Sequence, residues 1–219
     1  AAFDAEITEL AMGDTEVEAV LTRLTADLID YQNRRLAHRY LDFVAEVEEH
    51  ERAVAPSSRA LTLATAVGYH KLLAYKDEYE VARLLLDDDA NRDIRALAGP
   101  GDRVAWRLHP PTLRALGRSS KIALSTRWRP AIRLLASGRR LRGHWFDPFG
   151  WARLRRIERK LPAEYCDVLR TQLASLGPDT LAQAIEVAEL PDLVRGYEAV
   201  KLVNVAEFRR RLGQADAAG

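Results

Sequence analysis

Asp14-Thr15-Glu16-Val17-Glu18-Ala19-Val20-Leu21-Thr22-Arg23-Leu24-Thr25-Ala26-Asp27-Leu28-Ile29-Asp30-Tyr31 is the stretch whose spacing sets the fold class. Its apolar positions, Val17, Val20, Leu21, Leu24, Leu28 and Tyr31, follow the i, i+3, i+4, i+7 rhythm that lines one face of a helix. Leu36, Tyr40, Phe43, Val44 and Val47 repeat it, and no Gly or Pro falls between Asp14 and Ala55. The spacing predicts one long helix, or two joined by a kink near Asn33, with Asp14 or Thr15 as N-cap. The polar face is acidic toward its end, at Glu46, Glu48, Glu49 and Glu51.

Working outward, Pro56-Ser57-Ser58 resets the chain and caps a helix predicted over about 58–86. Asp87-Asp88-Asp89 reads as the start of a solvated loop, since like charges there oppose the helix dipole. Gly99-Pro100-Gly101-Asp102 is a turn signal. Arg103-Val104-Ala105-Trp106-Arg107-Leu108 then alternates basic and apolar residues like a strand, ended by His109-Pro110-Pro111, with residues 121–128 as its partner. Helices are predicted at about 129–138, with Pro130 in the first turn, and at about 150–176, 179–189 and 198–212, parted by Gly177-Pro178 and Pro191. Gly143 to Gly150 reads as an ordered loop rich in aromatics. Ala (34) and Leu (31) dominate the 219 residues, which favours helix throughout. The expected fold is mainly α: a single helical domain spanning 1–219, of about six helices, with a small β element near residues 103–128.

Composition excludes several classes. Cys166 is the single cysteine, so a disulfide scaffold, a cysteine-held iron–sulfur cluster and a Cys-rich zinc site are out of reach. Apolar runs such as Ile122-Ala123-Leu124 stop far short of the roughly 20 residues a membrane span needs. Ala1-Ala2-Phe3-Asp4-Ala5-Glu6 has neither the basic nor the apolar region of a signal peptide, and a cytoplasmic location is expected. The absence of an initiator Met suggests a piece of a longer polypeptide.

The net charge of +1 hides a segregation. Residues 1–102 hold 11 Lys+Arg against 21 Asp+Glu, residues 103–160 hold 16 against 2, and residues 161–219 hold 6 against 9. Of the 33 basic residues 28 are Arg, whose planar guanidinium suits bidentate contacts with carboxylate or phosphate. The basic middle fits three arrangements: neutralisation against the acidic N-terminal third, docking on an acidic protein surface, or nucleic-acid binding. No zinc-finger, RNA-recognition or basic-zipper pattern accompanies it.

Catalytic patterns are missing. His38, His50, His70, His109 and His144 form no His-x-His, no i, i+4 pair and no His-Glu-x-x-His. There is no Gly-x-Gly-x-x-Gly, no phosphate-binding loop and no Gly-x-Ser-x-Gly. Cys166 lies on an amphipathic helix beside Tyr165 and reads as a buried structural thiol. One segment is unusual: Tyr75-Lys76-Asp77-Glu78-Tyr79-Glu80-Val81-Ala82-Arg83-Leu84. On a helix Lys76 would reach Glu80, Tyr79 would reach Arg83, and Glu80 would reach Arg83. Charge around most of the circumference means that some of these groups are buried against opposite charge or meet another surface. Asp77 or Glu78 is predicted to pair with Arg142 or another arginine of the middle region.

Three segments together carry a resemblance. They are Ala74 to Leu84; Leu141-Arg142-Gly143-His144-Trp145-Phe146-Asp147-Pro148-Phe149-Gly150 with Arg155, Arg156 and Glu158; and Leu190-Pro191-Asp192-Leu193-Val194-Arg195-Gly196-Tyr197-Glu198-Ala199-Val200-Lys201. With Leu28-Ile29-Asp30-Tyr31-Gln32, they resemble the C-terminal domain of the indolepyruvate ferredoxin oxidoreductase family, which is one of the thiamine-dependent 2-oxoacid:ferredoxin oxidoreductases. The resemblance spans about residues 15–212. It implies a parent enzyme that oxidatively decarboxylates an aryl 2-oxoacid to acyl-CoA and reduces ferredoxin. Thiamine diphosphate, iron–sulfur clusters and coenzyme A would serve that parent, and no cofactor is expected in this chain. Gly13-Asp14-Thr15 is not the family's thiamine motif.

The resemblance implies that this chain is a non-catalytic accessory domain, with no catalytic residue and no metal ligand expected of its own. Its partners would be the catalytic domains of the same polypeptide, with ferredoxin a partner of the parent, the parent a homo-oligomer, and no membrane or nucleic acid involved. Lys76, Asp77, Glu78, Glu80, Arg83, Arg142, Asp147, Arg195 and Lys201 are the expected interaction or structural positions, converging on one polar surface. Arg139, Arg140 and Arg142 are candidates for the phosphates of coenzyme A. The alternative is a standalone helical protein that binds nucleic acid or a partner through residues 103–160.

Overall fold

The computed structural model describes residues 3–87, 92, 105–108, 122–125, 128–196 and 198–217. The Gly99–Asp102 turn, Asp88 and Asp89, His109-Pro110-Pro111 and Tyr197 lie outside the described residues. The chain is mainly helical and divides into two compact units, one of Ala1–Ala74 with Ile157–Gly219 and one of Tyr75–Arg156.

The first unit begins with α1 (Asp4–Ala11), which ends as Met12 and Gly13 turn left-handed at φ 51° and 85°. Next come α2 (Thr15–Tyr31) and α3 (Arg34–Val54). Asp14 caps α2 by accepting from the N–H groups of Glu16 and Val17, and Asn33 caps α3 by accepting from Leu36 N–H. Of the two predicted forms, two helices broken at Asn33 is the one observed. In α4 (Ala60–Leu73) the N-terminus is served by a side chain from another helix. Glu51, fully buried on α3, accepts from Leu61 N–H, Thr62 N–H, Thr62 Oγ1 and Ser58 Oγ. Burial opposes its charge, yet these hydrogen bonds outweigh that opposition and hold the Glu51 pKa below the ordinary Glu value.

The chain returns to this unit at the end of α7 (Arg153–Glu158), followed by α8 (Leu161–Ala174), α9 (Leu181–Glu189), a 3₁₀ turn (Leu190–Leu193) and α10 (Glu198–Asp216). The single helix expected over 150–176 is therefore two, because Pro162 in the first turn of α8 has no N–H to continue the ladder. One core joins these helices around Leu21, Leu28, Tyr40, Leu41, Leu61, Tyr165, Leu169 and Phe208. Within it Tyr69 stacks on Tyr40 at 6.0 Å and Tyr165 at 6.3 Å, while Phe43 meets Tyr69 edge-on at 5.1 Å. Tyr40 and Tyr165 satisfy their hydroxyls on the carbonyls of Ala66 and Ala188, as buried polar tips must.

The second unit contains α5 (Glu78–Leu85), β1 (Ala105–Leu108), β2 (Ile122–Ser125), α6 (Arg129–Ser137) and a 3₁₀ turn (Gly138–Leu141). The helix predicted over 58–86 is thus interrupted between Leu73 and Glu78. Asp77 stands extended (φ −95°, ψ −175°) and its Oδ1 accepts from Glu80 N–H, so it starts a new helix. Helix α5 packs on α6 through a small apolar core of Ala82 and Ile132 with Leu85, Leu86, Leu135 and Ala136. The β element expected near 103–128 is an antiparallel pair with Ala105 opposite Ser125 and Leu108 opposite Ile122. Among the described residues no helix is long and apolar enough to cross a membrane.

Candidate functional site

The unusual charged segment becomes the middle of a buried polar cluster in the second unit. Asp77, Glu78, Tyr79 and Glu80, at the start of α5, are all buried. Arg142, which follows the 3₁₀ turn, grips Asp77 with two donors, Nε on Oδ2 and Nη2 on Oδ1 at 2.7 Å. Both side chains are 3% exposed. The Arg142 guanidinium also lies over the Tyr79 ring, 5.6 Å from its centroid. Tyr79 donates its hydroxyl to Asp147 Oδ1 at 3.1 Å, and its ring meets Phe149 edge-on at 5.1 Å.

Asp147 in turn ties the aromatic loop together, accepting from Phe149 N–H at 3.1 Å and from Gly143 N–H at 3.3 Å. Gly143 sits at φ +85°, a conformation that suits glycine. Arg155 pairs with Glu78 Oε2 at 3.3 Å and lies over the Tyr75 ring. Glu78 Oε1 is buried with no hydrogen bond. Burial raises the Glu78 pKa, and the nearby Arg155 offsets this only in part. Burial, reinforced by the charge of Asp147, likewise raises the Tyr79 pKa.

The predicted pairing of α5 carboxylates with middle-region arginines is therefore present twice, as Asp77–Arg142 and Glu78–Arg155. Glu80 pairs with Arg83 three residues on, through two contacts of 2.9 and 2.7 Å. Lys76 lies exposed ahead of the helix, so the expected Lys76–Glu80 spacing does not arise, and Tyr79 turns to Asp147 rather than Arg83. Arg195 and Lys201 belong to the first unit. Arg195 is exposed and contacts Asp192, which also accepts from Lys71, while Lys201 pairs with buried Glu158. Arg139 is half-buried and Arg140 exposed, whereas Arg142 is enclosed by Asp77.

Sequence reasoning overlooked the Tyr79–Asp147 bond and the reach of Glu51 to α4. Neither has a local signal, since the partners are separated by 68 and about ten positions. Cys166 is buried and its thiol is pushed up to about 11, chiefly by burial, which suits the structural role read from its helix position. Beside it a cleft of about 460 Å³ includes Arg170, already bound to Glu46 and lying over the Phe43 ring. Among the described residues no three His, Cys, Asp or Glu side chains gather as a metal site.

A helical framework with a motif-built, buried ion cluster defines a helical domain whose charged signature organises its own interior. Residues 17–214 match a family described as "Family of unknown function (DUF6537)", and the chain belongs to that family. Comparison with curated proteins and with solved structures finds no match.

Proposed function

We propose that the chain is a non-catalytic accessory domain of a thiamine-dependent 2-oxoacid:ferredoxin oxidoreductase, docked against the catalytic domains of the same polypeptide. The observation that supports this most is how the motif charges are used. Asp77, Glu78, Glu80, Arg83, Arg142 and Asp147 engage one another inside the second unit. Residues used in this way build a scaffold, and the chemistry falls to the parent's cofactors. The single buried Cys166 does not fit a cluster-ligand set, so the iron–sulfur clusters lie elsewhere in the parent. The resemblance to the indolepyruvate ferredoxin oxidoreductases supplies the rest of the reading: indolepyruvate as the parent's substrate, ferredoxin as its electron acceptor, a homo-oligomer as its assembly and the cytoplasm as its compartment. Of the three candidates for the phosphates of coenzyme A, Arg140 is exposed and Arg139 half-buried, whereas Arg142 is committed to Asp77.

An antibody against this chain, used on source-cell extract, tests the reading. The expected result is a band several times larger than 24.6 kDa that co-purifies with coenzyme A-dependent viologen reduction by indolepyruvate. A band at the chain's own mass, free of that activity, overturns it.

A further inference from the structure

The loop Leu141–Gly150 carries two sets of side chains with opposite fates. Arg142, Asp147 and Gly150 point into the unit and are buried. His144, Trp145 and Phe146, with Trp151 just beyond, are left in solvent, Trp145 at 83%, Trp151 at 70% and Phe146 at 46% exposure. Singly exposed apolar residues are ordinary, but a group of large rings on one short loop is not.

These rings are also held in place. Phe146 stacks on His144 at 5.4 Å and meets Trp145 edge-to-face at 5.4 Å and 87°. Trp151 Nε1 donates to the Trp145 carbonyl at 3.2 Å. Beneath them Asp147 fixes the backbone through Gly143, Phe149 and Tyr79. A surface already ordered loses little freedom on binding.

Along the chain on either side of the loop the charge has one sign. Residues 128–156 contain eight Arg, no Lys and a single acid, Asp147, which is 1% exposed. Arg133, Arg140, Arg153 and Arg156 are exposed, and among the described residues no carboxylate pairs with them. Trp, Phe and Arg are the residues enriched where protein interfaces bury most, and Lys is depleted there.

We propose that the Trp145–Phe146–Trp151 loop is a docking surface for an acidic protein patch, one with an apolar centre ringed by Asp and Glu. Charge complementarity sets the partner's sign, and guanidinium favours carboxylates it can grip bidentately. No zinc-finger, RNA-recognition or basic-zipper pattern accompanies these arginines, which favours protein over nucleic acid. This deepens the accessory-domain reading and rests on it for the expectation that the patch lies in the same enzyme.

The test places p-benzoylphenylalanine at Trp151 in the native full-length polypeptide, expressed in its own cells and irradiated. Crosslinked peptides are then sequenced by mass spectrometry. Attachment to an Asp/Glu-rich segment of the parent oxidoreductase is expected, and Trp145→Ala in the same polypeptide should cut the yield at least about tenfold. Trp145 is exposed, so the fold should survive its removal, which circular dichroism checks. Attachment to an acidic segment of an unrelated protein supports the docking surface and overturns the accessory reading. Attachment to RNA, attachment to a neutral or basic segment, a yield indifferent to Trp145→Ala, or no crosslink overturns the docking surface. The accessory reading would then still be decided by the antibody and activity measurement.

Discussion

At the scale of single residues the second unit depends on charges taken out of water. Removing two ions from water costs several kcal/mol each, and only close geometry and additional hydrogen bonds repay it. Asp77 meets both conditions, with two contacts to Arg142 and one from Glu80 N–H. Arg142→Ala should therefore destabilise the protein by about 3–5 kcal/mol in urea unfolding, because Asp77 is left charged and buried. Asp77→Asn combined with Arg142→Met should cost less than that single change, since Asn still caps α5 and no charge is stranded. A loss under about 1 kcal/mol for Arg142→Ala would show that water replaces the pair freely.

Two buried glutamates should respond to pH in opposite directions. Glu51 is held below its unfolded pKa, so its contribution is present above the ordinary Glu range and is lost as pH falls through its folded value. Glu78 is raised, so the folded protein takes up its proton at a pH where the unfolded chain does not, and stability gains as pH falls toward the ordinary Glu pKa. Relative to the wild type, Glu51→Gln should be most destabilising near neutrality, with the gap narrowing in acid. The wild type should instead gain on Glu78→Gln as pH is lowered from neutrality toward about 4.5. Unfolding free energies measured across that range check both signs.

At the scale of elements, helix boundaries and close approaches decide the packing. Gly68 in α4 lies so near α9 and the turn after it that an added Cβ would stand 2.6 Å from the Ala188 carbonyl and 3.0 Å from Pro191 Cγ. An exposed Gly→Ala change within a helix gains about 1 kcal/mol. Here Gly68→Ala should lose about 1–3 kcal/mol, because a backbone carbonyl cannot step aside as a side-chain tip can. Thermal melting of this variant beside Gly213→Ala, whose Cβ meets open space, separates propensity from packing. The break between α4 and α5 was legible in the sequence, since Asp77-x-x-Glu80 is a helix-start spacing. The long apolar run before it outweighed that signal in the periodicity. Pro162 was an equally local mark for the division between α7 and α8. Helix α1 was the least visible, because its eight residues offer barely two turns of pattern.

At the scale of the molecule, the unit Tyr75–Arg156 holds 18 Lys+Arg against 9 Asp+Glu, while the other unit holds 15 against 23. The chain by itself is expected to show no coenzyme A-dependent viologen reduction with indolepyruvate, and turnover by the isolated 219 residues would refute the accessory reading. The sequence by itself determined the helical class, a choice between one long helix and two meeting near Asn33, the β element near 103–128 and the pairing of Asp77 or Glu78 with a middle-region arginine. Each follows from periodicity, capping chemistry or charge balance, which act over a few residues or through composition. Only the tertiary structure decided which arginine meets which carboxylate, that Glu51 rather than a local residue serves α4, and that Asp147 is buried while Trp145 two positions earlier is exposed. Those outcomes depend on contacts between residues distant in the chain, and no local spacing encodes which of several equivalent guanidinium groups arrives first at a buried charge.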